Sequence, residues 1–249
     1  MKAFSVTGLT GSGKTTVIEN VIEELVKRGY SVGSVKEIHN DEFKIDKEGT
    51  NTWRHSQAGA VTVTARSHQE TDILHKGYLP IYEILSHYSQ DFVVLEGVRD
   101  AVVPNIAVAK EDEQPDISPL TIAVSGRYAN THDGHYNGLP IINGVENTKE
   151  LVDLIVEKTP PLMYDVKPKC CKKCGSDCRT FLSKVLRGEE KIENCMIYDG
   201  SISLKVNGED MIMVPFVRAL LKNEIMGIVK ELNGYKKGAT IEIKFKSEE

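Results

Sequence analysis

The sequence predicts an α/β protein in which a mainly parallel sheet is covered by helices, followed by a Cys-rich metal module and a small ββαβ unit. Three observations predict it. Apolar strands alternate with helical patterns over the first 160 residues, as in a parallel sheet buried on both faces. All five cysteines fall between Cys170 and Cys195. After Cys195 come a hairpin pattern, a helix and a last alternating strand. The expected regions are therefore 1–160, 161–199 and 200–249. The first boundary lies near Pro160-Pro161, where the helical pattern stops and the Lys- and Cys-rich run KPKCCKKCGSDCRT begins.

Taken in order, Lys2 to Thr7 read as a short buried strand, and Gly8 to Gly13 as a Gly-rich turn. Lys14 to Arg28 form an amphipathic run with Val17, Ile18, Val21, Ile22, Leu25 and Val26 at helical spacing, and Gly29 supplies the stop. Further strands are expected at Tyr30 to Val35, Ala60 to Ala65, Phe92 to Leu95, Ile106 to Ala109 and Leu120 to Val124. A helix is expected from Asn147 to Glu157, and a short one from Phe181 to Leu186. In the last region Ile202, Leu204 and Val206 alternate, Asn207-Gly208 marks a tight hairpin, and Met211 to Val214 form the returning strand. A helix from Pro215 to Leu232 and a strand through Ile241, Ile243 and Phe245 complete the unit.

Composition narrows the function. With 249 residues, 40% of them apolar and 27% charged, the chain can bury a real core. Lys and Arg number 31 against 36 acidic residues, a formal charge of −5 that argues against a nucleic-acid binder. No run approaches the roughly 18 apolar residues of a membrane span, and MKAFSVTGLTGSGK lacks the apolar core of a signal peptide. A cytoplasmic protein is expected. In a reducing compartment a tight group of cysteines is more often a metal site than a set of disulfides.

Gly8-Leu9-Thr10-Gly11-Ser12-Gly13-Lys14-Thr15 fits G-x-x-x-x-G-K-[ST] between a buried strand and a helix, the P-loop of nucleoside triphosphate-binding proteins. Its glycines let successive backbone N–H groups surround phosphate oxygens, and the helix N-terminus adds a favourable dipole. Gly8, Thr10, Gly11, Ser12, Gly13, Lys14, Thr15 and Thr16 are therefore candidate nucleotide-binding residues. Lys14 would reach the β- and γ-phosphates, and the Thr15 hydroxyl would bind Mg²⁺. Glu96, at the end of the FVVL strand, is a candidate Mg²⁺ ligand or water-orienting group, so Lys14 and Glu96 are the candidate catalytic residues. A polar cluster after the second strand, Lys36, His39, Asp41, Asp46, Thr50 and Arg54, lies where α/β sheets bind ligands. His132 and His135 read as turn residues.

GLTGSGKTT, the lone Lys36 in GSVKEIH, the D-x-x-G-T-N-T-W-R-H-x-x-A-G-A run from Asp46 to Ala60, and VVLEG at Val93 to Gly97 together resemble the molybdopterin-guanine dinucleotide biosynthesis protein B family, MobB. The resemblance covers about the first 160 residues. It implies a dimeric P-loop fold that binds GTP and Mg²⁺, with Lys36 at the nucleotide, and hydrolyses GTP weakly. It also implies a partner, either the guanylyltransferase of molybdenum cofactor biosynthesis or the recipient enzyme. The family pattern often reads K-H after the second strand, whereas here Glu37 follows Lys36 and the His comes at position 39. There is no N-K-x-D base-reading motif, so guanine selectivity rests on the resemblance.

Cys171-x2-Cys174-x3-Cys178-x16-Cys195 supplies four thiolates, suited to tetrahedral Zn²⁺ or an iron–sulfur cluster. The lysines and Arg179 around them would lower the thiol pKa values and offset thiolate charge. The segment resembles the four-iron, four-sulfur domain of the corrinoid iron–sulfur protein of acetyl-CoA synthesis, one residue short in its second gap. Cys170 is either a spare thiol or a substitute for Cys171. The expected protein is thus a GTP-binding accessory factor with a 4Fe-4S cluster. The rivals are a P-loop ATP-dependent kinase or metal-insertion NTPase whose cysteines bind zinc or delivered metal, and an electron-transfer or scaffold module in which the nucleotide site is vestigial.

Overall fold

The computed structural model describes residues 1–40, 42–162, 175–195, 202, 204–211, 215–236 and 238–243. The chain runs β1 (Lys2–Thr7), α1 (Lys14–Lys27), β2 (Val32–Lys36), α2 (Asn51–Gln57), β3 (Thr62–Arg66), β4 (Thr71–His75), α3 (Ile81–Leu85), β5 (Phe92–Glu96), β6 (Asn105–Val108) and β7 (Thr121–Ser125). A 3₁₀ turn (Gly126–Asn130), the small hairpin β8 (His135–Tyr136) and β9 (Leu139–Pro140), and α4 (Thr148–Lys158) follow. Beyond lie α5 (Cys178–Leu186), a 3₁₀ turn (Ile192–Asn194), the hairpin β10 (Lys205–Val206) and β11 (Glu209–Asp210), and α6 (Pro215–Val229).

The central sheet has the order β2-β5-β1-β6-β7, and every pairing in it is parallel. Because side chains alternate across a strand, an apolar run such as FVVL must be covered on both sides. On one face Phe4, Val6, Phe92, Val94, Ile106 and Val108 pack against Val17, Val21 and Leu25 of α1 and Leu151, Val152 and Ile155 of α4. On the other, Ala3, Val93 and Leu95 meet Ile81 and Leu85 of α3 and Val98, Ala101 and Val103. Each large side chain fully buried here contributes about 1.5–3 kcal/mol of hydrophobic stabilisation. Arg28, at the end of α1, ties the two covering helices together through Asp153 at 2.6 Å and the Lys149 carbonyl at 3.0 Å.

Register sets the site. Lys36 lies opposite Glu96 on adjacent strands, and Val6 lies opposite Glu96 on the other side. The carboxyl ends of β2, β5 and β1 therefore open together onto the loop that begins at Gly8.

Several expectations require correction. The strand expected at Ala60 to Ala65 forms as β3, one residue or two later, but it pairs antiparallel with β4 outside the central sheet. Its residues are mostly exposed, with only Val63 buried, so it lacks the two apolar faces that a central strand needs. The C-terminal hairpin does turn at Asn207-Gly208, both at positive φ. Its returning strand, however, is Glu209–Asp210 rather than Met211 to Val214, because a two-residue turn pairs Val206 directly with Glu209; residues 212–214 lie outside the described residues. The last strand of the expected ββαβ unit is absent over residues 241–243, and the rest of it lies outside the described residues. Of the four candidate thiolate ligands, Cys171 and Cys174 fall outside the described residues, as does Cys170. Among the described residues no three His, Cys, Asp or Glu side chains converge to hold a metal. Nor is any described helix long and apolar enough to cross a membrane.

Helix α5 packs against the main body. Cys178, Phe181 and Leu182 share an apolar cluster with Val102 and Leu120, and Cys195 packs on its edge. Asp177 caps the helix by accepting from the Thr180 backbone N–H at 2.8 Å.

Candidate functional site

A cavity of about 940 Å³ opens at the carboxyl ends of the central strands. The phosphate loop forms its floor: Gly8, Thr10, Gly11, Gly13, Lys14, Thr15 and Thr16 all line it. Gly8 must be glycine, since a Cβ there would fall 2.0 Å from the Val108 carbonyl oxygen of β6. Gly126 closes the floor from the β7 side at φ +78°, where a Cβ would meet the Ser12 carbonyl at 2.4 Å. The next backbone N–H, that of Arg127, donates to that carbonyl at 3.0 Å. Two strand ends thus clamp the loop, and both clamps depend on bare backbone.

Ser12 differs from its neighbours. Its side chain is fully buried and its hydroxyl donates to the Leu9 carbonyl at 2.7 Å, so it braces the loop and does not line the cavity.

The charged groups divide the cavity. Lys14 Nζ folds back over the loop, donating to the Gly8 and Leu9 carbonyls at 2.7 and 2.8 Å. Burial, the largest effect, together with the Lys36 and Arg99 cations pulls the Lys14 pKa below 10.5 although Glu96 opposes them. Glu96 Oε1 accepts from Lys36 Nζ at 2.7 Å and from the Thr15 hydroxyl at 3.3 Å. These oxygens, a hydroxyl at the helix start and a largely buried carboxylate, match the hard donors that Mg²⁺ selects. Thr15, Lys36 and Glu96, recognised separately in the sequence, are thus brought together.

Of the polar cluster after β2, Lys36 and His39 line the cavity. Asp46, Thr50 and Thr52 instead form a local knot at the start of α2, in which the Asp46 carboxylate accepts from both hydroxyls. Thr50 also caps α2 through the Trp53 N–H. Arg54 does not line the cavity, and Asp41 is outside the described residues. His132 stacks on the Tyr128 ring at 3.9 Å, and His135 pairs in the β8–β9 hairpin.

The cavity residues that escaped sequence reasoning include Arg99 after β5, Arg127 and Asn130 after β7, and Asn143 before α4. Arg99 pairs with Asp116 at 2.9 Å, and Arg127 with Glu111 at 3.2 Å. The rule that ligands bind at the carboxyl ends of strands would have pointed to each of these loops.

Residues 3–125 match the family described as Molybdopterin guanine dinucleotide synthesis protein B, MobB. The chain is 30% identical to the molybdopterin-guanine dinucleotide biosynthesis adapter protein of Haemophilus influenzae over 135 residues, half of this chain and 74% of that one. The chain belongs to the MobB family. A provisionally named adapter protein of the same description from Methanocaldococcus jannaschii is 29% identical over 249 residues, 98% of this chain and 97% of that one. Likeness to that MobB-family relative therefore extends through the Cys-bearing region and the C-terminal hairpin and helix. The crystal structure of Bacillus subtilis MobB, 23% identical, covers 64% of this chain and 99% of its own with a TM-score of 0.52, which shows the shared α/β fold.

Proposed function

We propose that the protein is a GTP-binding adapter of molybdopterin-guanine dinucleotide formation, acting as a weak GTPase. The observation that carries this reading is the Lys14–Thr15–Glu96–Lys36 constellation on the floor of a cavity large enough for a nucleotide, in a chain of the MobB family. Lys14 and the loop amides would hold the phosphates. Thr15 and Glu96 would hold Mg²⁺, which supplies charge neutralisation at the phosphate oxygens. The names of the relatives support the pathway, and the family resemblance supports a homodimer and a guanylyltransferase or recipient enzyme as partner.

The Cys region adds a second part to the proposal. Cys178 is buried at the first position of α5, and Cys195 packs in the same apolar cluster. Two of the four cysteines in the Cys171, Cys174, Cys178, Cys195 pattern therefore lie at one apolar cluster, Cys178 buried and Cys195 half-buried at its edge, and a four-thiolate pattern suits a 4Fe-4S cluster and also Zn²⁺. Anaerobic purification with metal and sulfide analysis separates the two: iron with sulfide and a bleachable brown colour supports the cluster, and stoichiometric zinc in a colourless protein refutes it.

The nucleotide reading is tested by titrating GTP with Mg²⁺ into the protein and its Lys14→Ala variant, and by asking whether that variant restores dinucleotide cofactor formation in cells lacking the protein. Micromolar binding and restoration by the natural chain, both lost in the variant, are expected. Unchanged cofactor formation with Lys14→Ala would remove the reading.

A further inference from the structure

The cavity extends past the phosphate loop to the opposite edge of the sheet, where Arg127, Asn130, Asn143, Gly144 and Val145 line it. Segment 141–145 is drawn there because Ile142 N–H donates to the Val124 carbonyl of β7 at 2.9 Å. Asn143 then turns the chain into α4, its Oδ1 accepting from the backbone N–H groups of Val145 at 2.9 Å and Glu146 at 3.1 Å. Backbone N–H groups can only donate, so the oxygen end of this amide is fixed by chemistry. Its Nδ2 must therefore be the end that meets Asn130, and it donates to Asn130 Oδ1 at 3.1 Å. That contact fixes the second amide in turn: the oxygen of Asn130 is engaged, and its other end is a hydrogen-bond donor.

We infer that Asn130, held in orientation by Asn143, reads the 6-position of a purine base and selects a 6-oxo purine over adenine. This rests on the reading of the cavity as a nucleotide site, and it supplies a base reader to a chain that has no N-K-x-D motif. Guanine and hypoxanthine present an acceptor oxygen at position 6, which the Nδ2 donor satisfies. Adenine presents an amino group there, so two donors would face each other; Asn130 is exposed and water can pair with each of them, so the discrimination is that of one hydrogen bond gained or lost. The selection works through the 6-oxo group alone and does not require the 2-amino group that distinguishes guanine from hypoxanthine.

The test is calorimetric titration of GTP, ITP and ATP with Mg²⁺ into the natural chain and into Asn130→Asp and Asn143→Ala. The natural chain should bind GTP and ITP within about twofold of each other and ATP about 3- to 10-fold more weakly. Asn130→Asp keeps the acceptor for Asn143 and removes the donor, so the GTP-over-ATP ratio should fall to about one or below. Asn143→Ala frees the Asn130 amide to turn over, so the ratio should fall while GTP affinity changes less. Asn130 is exposed, and matched melting curves for Asn130→Asp check that its fold is intact. ITP as weak as ATP, or an unaltered ratio in Asn130→Asp, overturns the inference and leaves the nucleotide reading standing. Failure of all three nucleotides to bind the natural chain removes both.

Discussion

Lys36 Nζ lies 2.7 Å from Glu96 Oε1, at paired positions of adjacent parallel strands. The same oxygen accepts from Thr15, so one carboxylate joins the end of β2 to the first turn of α1. A cation bound at Thr15 and Glu96 would compete with the ammonium for that oxygen, and Lys36 would then be available to an anion on the same side of the cavity. The terminal phosphate of a triphosphate is the group that could use it. Lys36→Met should therefore weaken triphosphate binding about tenfold or more, the scale of one charge-assisted hydrogen bond, while changing diphosphate binding by less than about threefold. Titration of GTP and GDP checks this. Equal losses for both nucleotides would show that Lys36 does not distinguish the terminal phosphate.

Lys14 is held in a place that disfavours its charge, since burial and the neighbouring Lys36 and Arg99 lower its pKa from 10.5. A lysine with a depressed folded pKa destabilises the fold most below that pKa, where it is charged in both states, and the penalty fades as pH rises through the folded pKa to the unfolded value. Lys14→Met should abolish triphosphate binding yet melt no lower than the natural chain at pH 7. Any gain in melting temperature should shrink as pH approaches 10.5. Scanning calorimetry from neutral to alkaline pH provides the measurement, and a gain that grows with pH would contradict the burial argument.

Asn105 of β6 is a polar pin between β1 and β7. Its Oδ1 accepts from Ser5 and Thr7 of β1 at 3.0 and 2.9 Å, and its Nδ2 donates to Thr121 of β7 at 3.2 Å. All four residues are buried. Asn105→Ala would leave the Ser5 and Thr7 hydroxyls unpaired at about 1–3 kcal/mol apiece where water cannot reach them, whereas Thr121 Oγ1 keeps the Ser118 N–H at 2.8 Å. For a protein of this size a loss of about 3 kcal/mol lowers the melting temperature by roughly 6–12 °C. A shift under about 2 °C, on the same scale, would mean that water replaces the amide.

The strand, loop and helix around Gly8 to Lys27 were legible because three signals coincide there: an apolar run, glycines and a 3.6-residue period. Glu96 was legible as the polar end of an otherwise buried strand. The pairing of β3 with β4 was hidden because a short run with one buried residue, Val63, reads much like a core strand. The Asn130–Asn143 contact was hidden for a different reason. Asparagine in a loop is common, and only the close approach of residues 141–145 to β7 gives these two a shared role. Local pattern thus located the phosphate end of the cavity, while its far end depends on tertiary contacts.

Arg179, next to Cys178 on the first turn of α5, donates through Nη2 to the Arg99 carbonyl at 3.1 Å and the Ala101 carbonyl at 3.5 Å. Arg99 lines the nucleotide cavity, so the Cys-bearing helix is tethered to the segment that follows Glu96. The tether is exposed and worth about 0.5–1.5 kcal/mol, whereas truncating the buried Phe181 to Ala should cost about 3–5 kcal/mol. Both changes should loosen α5 and expose the Cys178 thiol, Phe181→Ala more than Arg179→Ala. Alkylation of the Cys178 peptide, followed by mass spectrometry on anaerobic, chelator-treated protein, should quicken several-fold in Arg179→Ala and further in Phe181→Ala. Unchanged rates in both variants would mean that α5 does not stand against Val102 and Leu120 in solution.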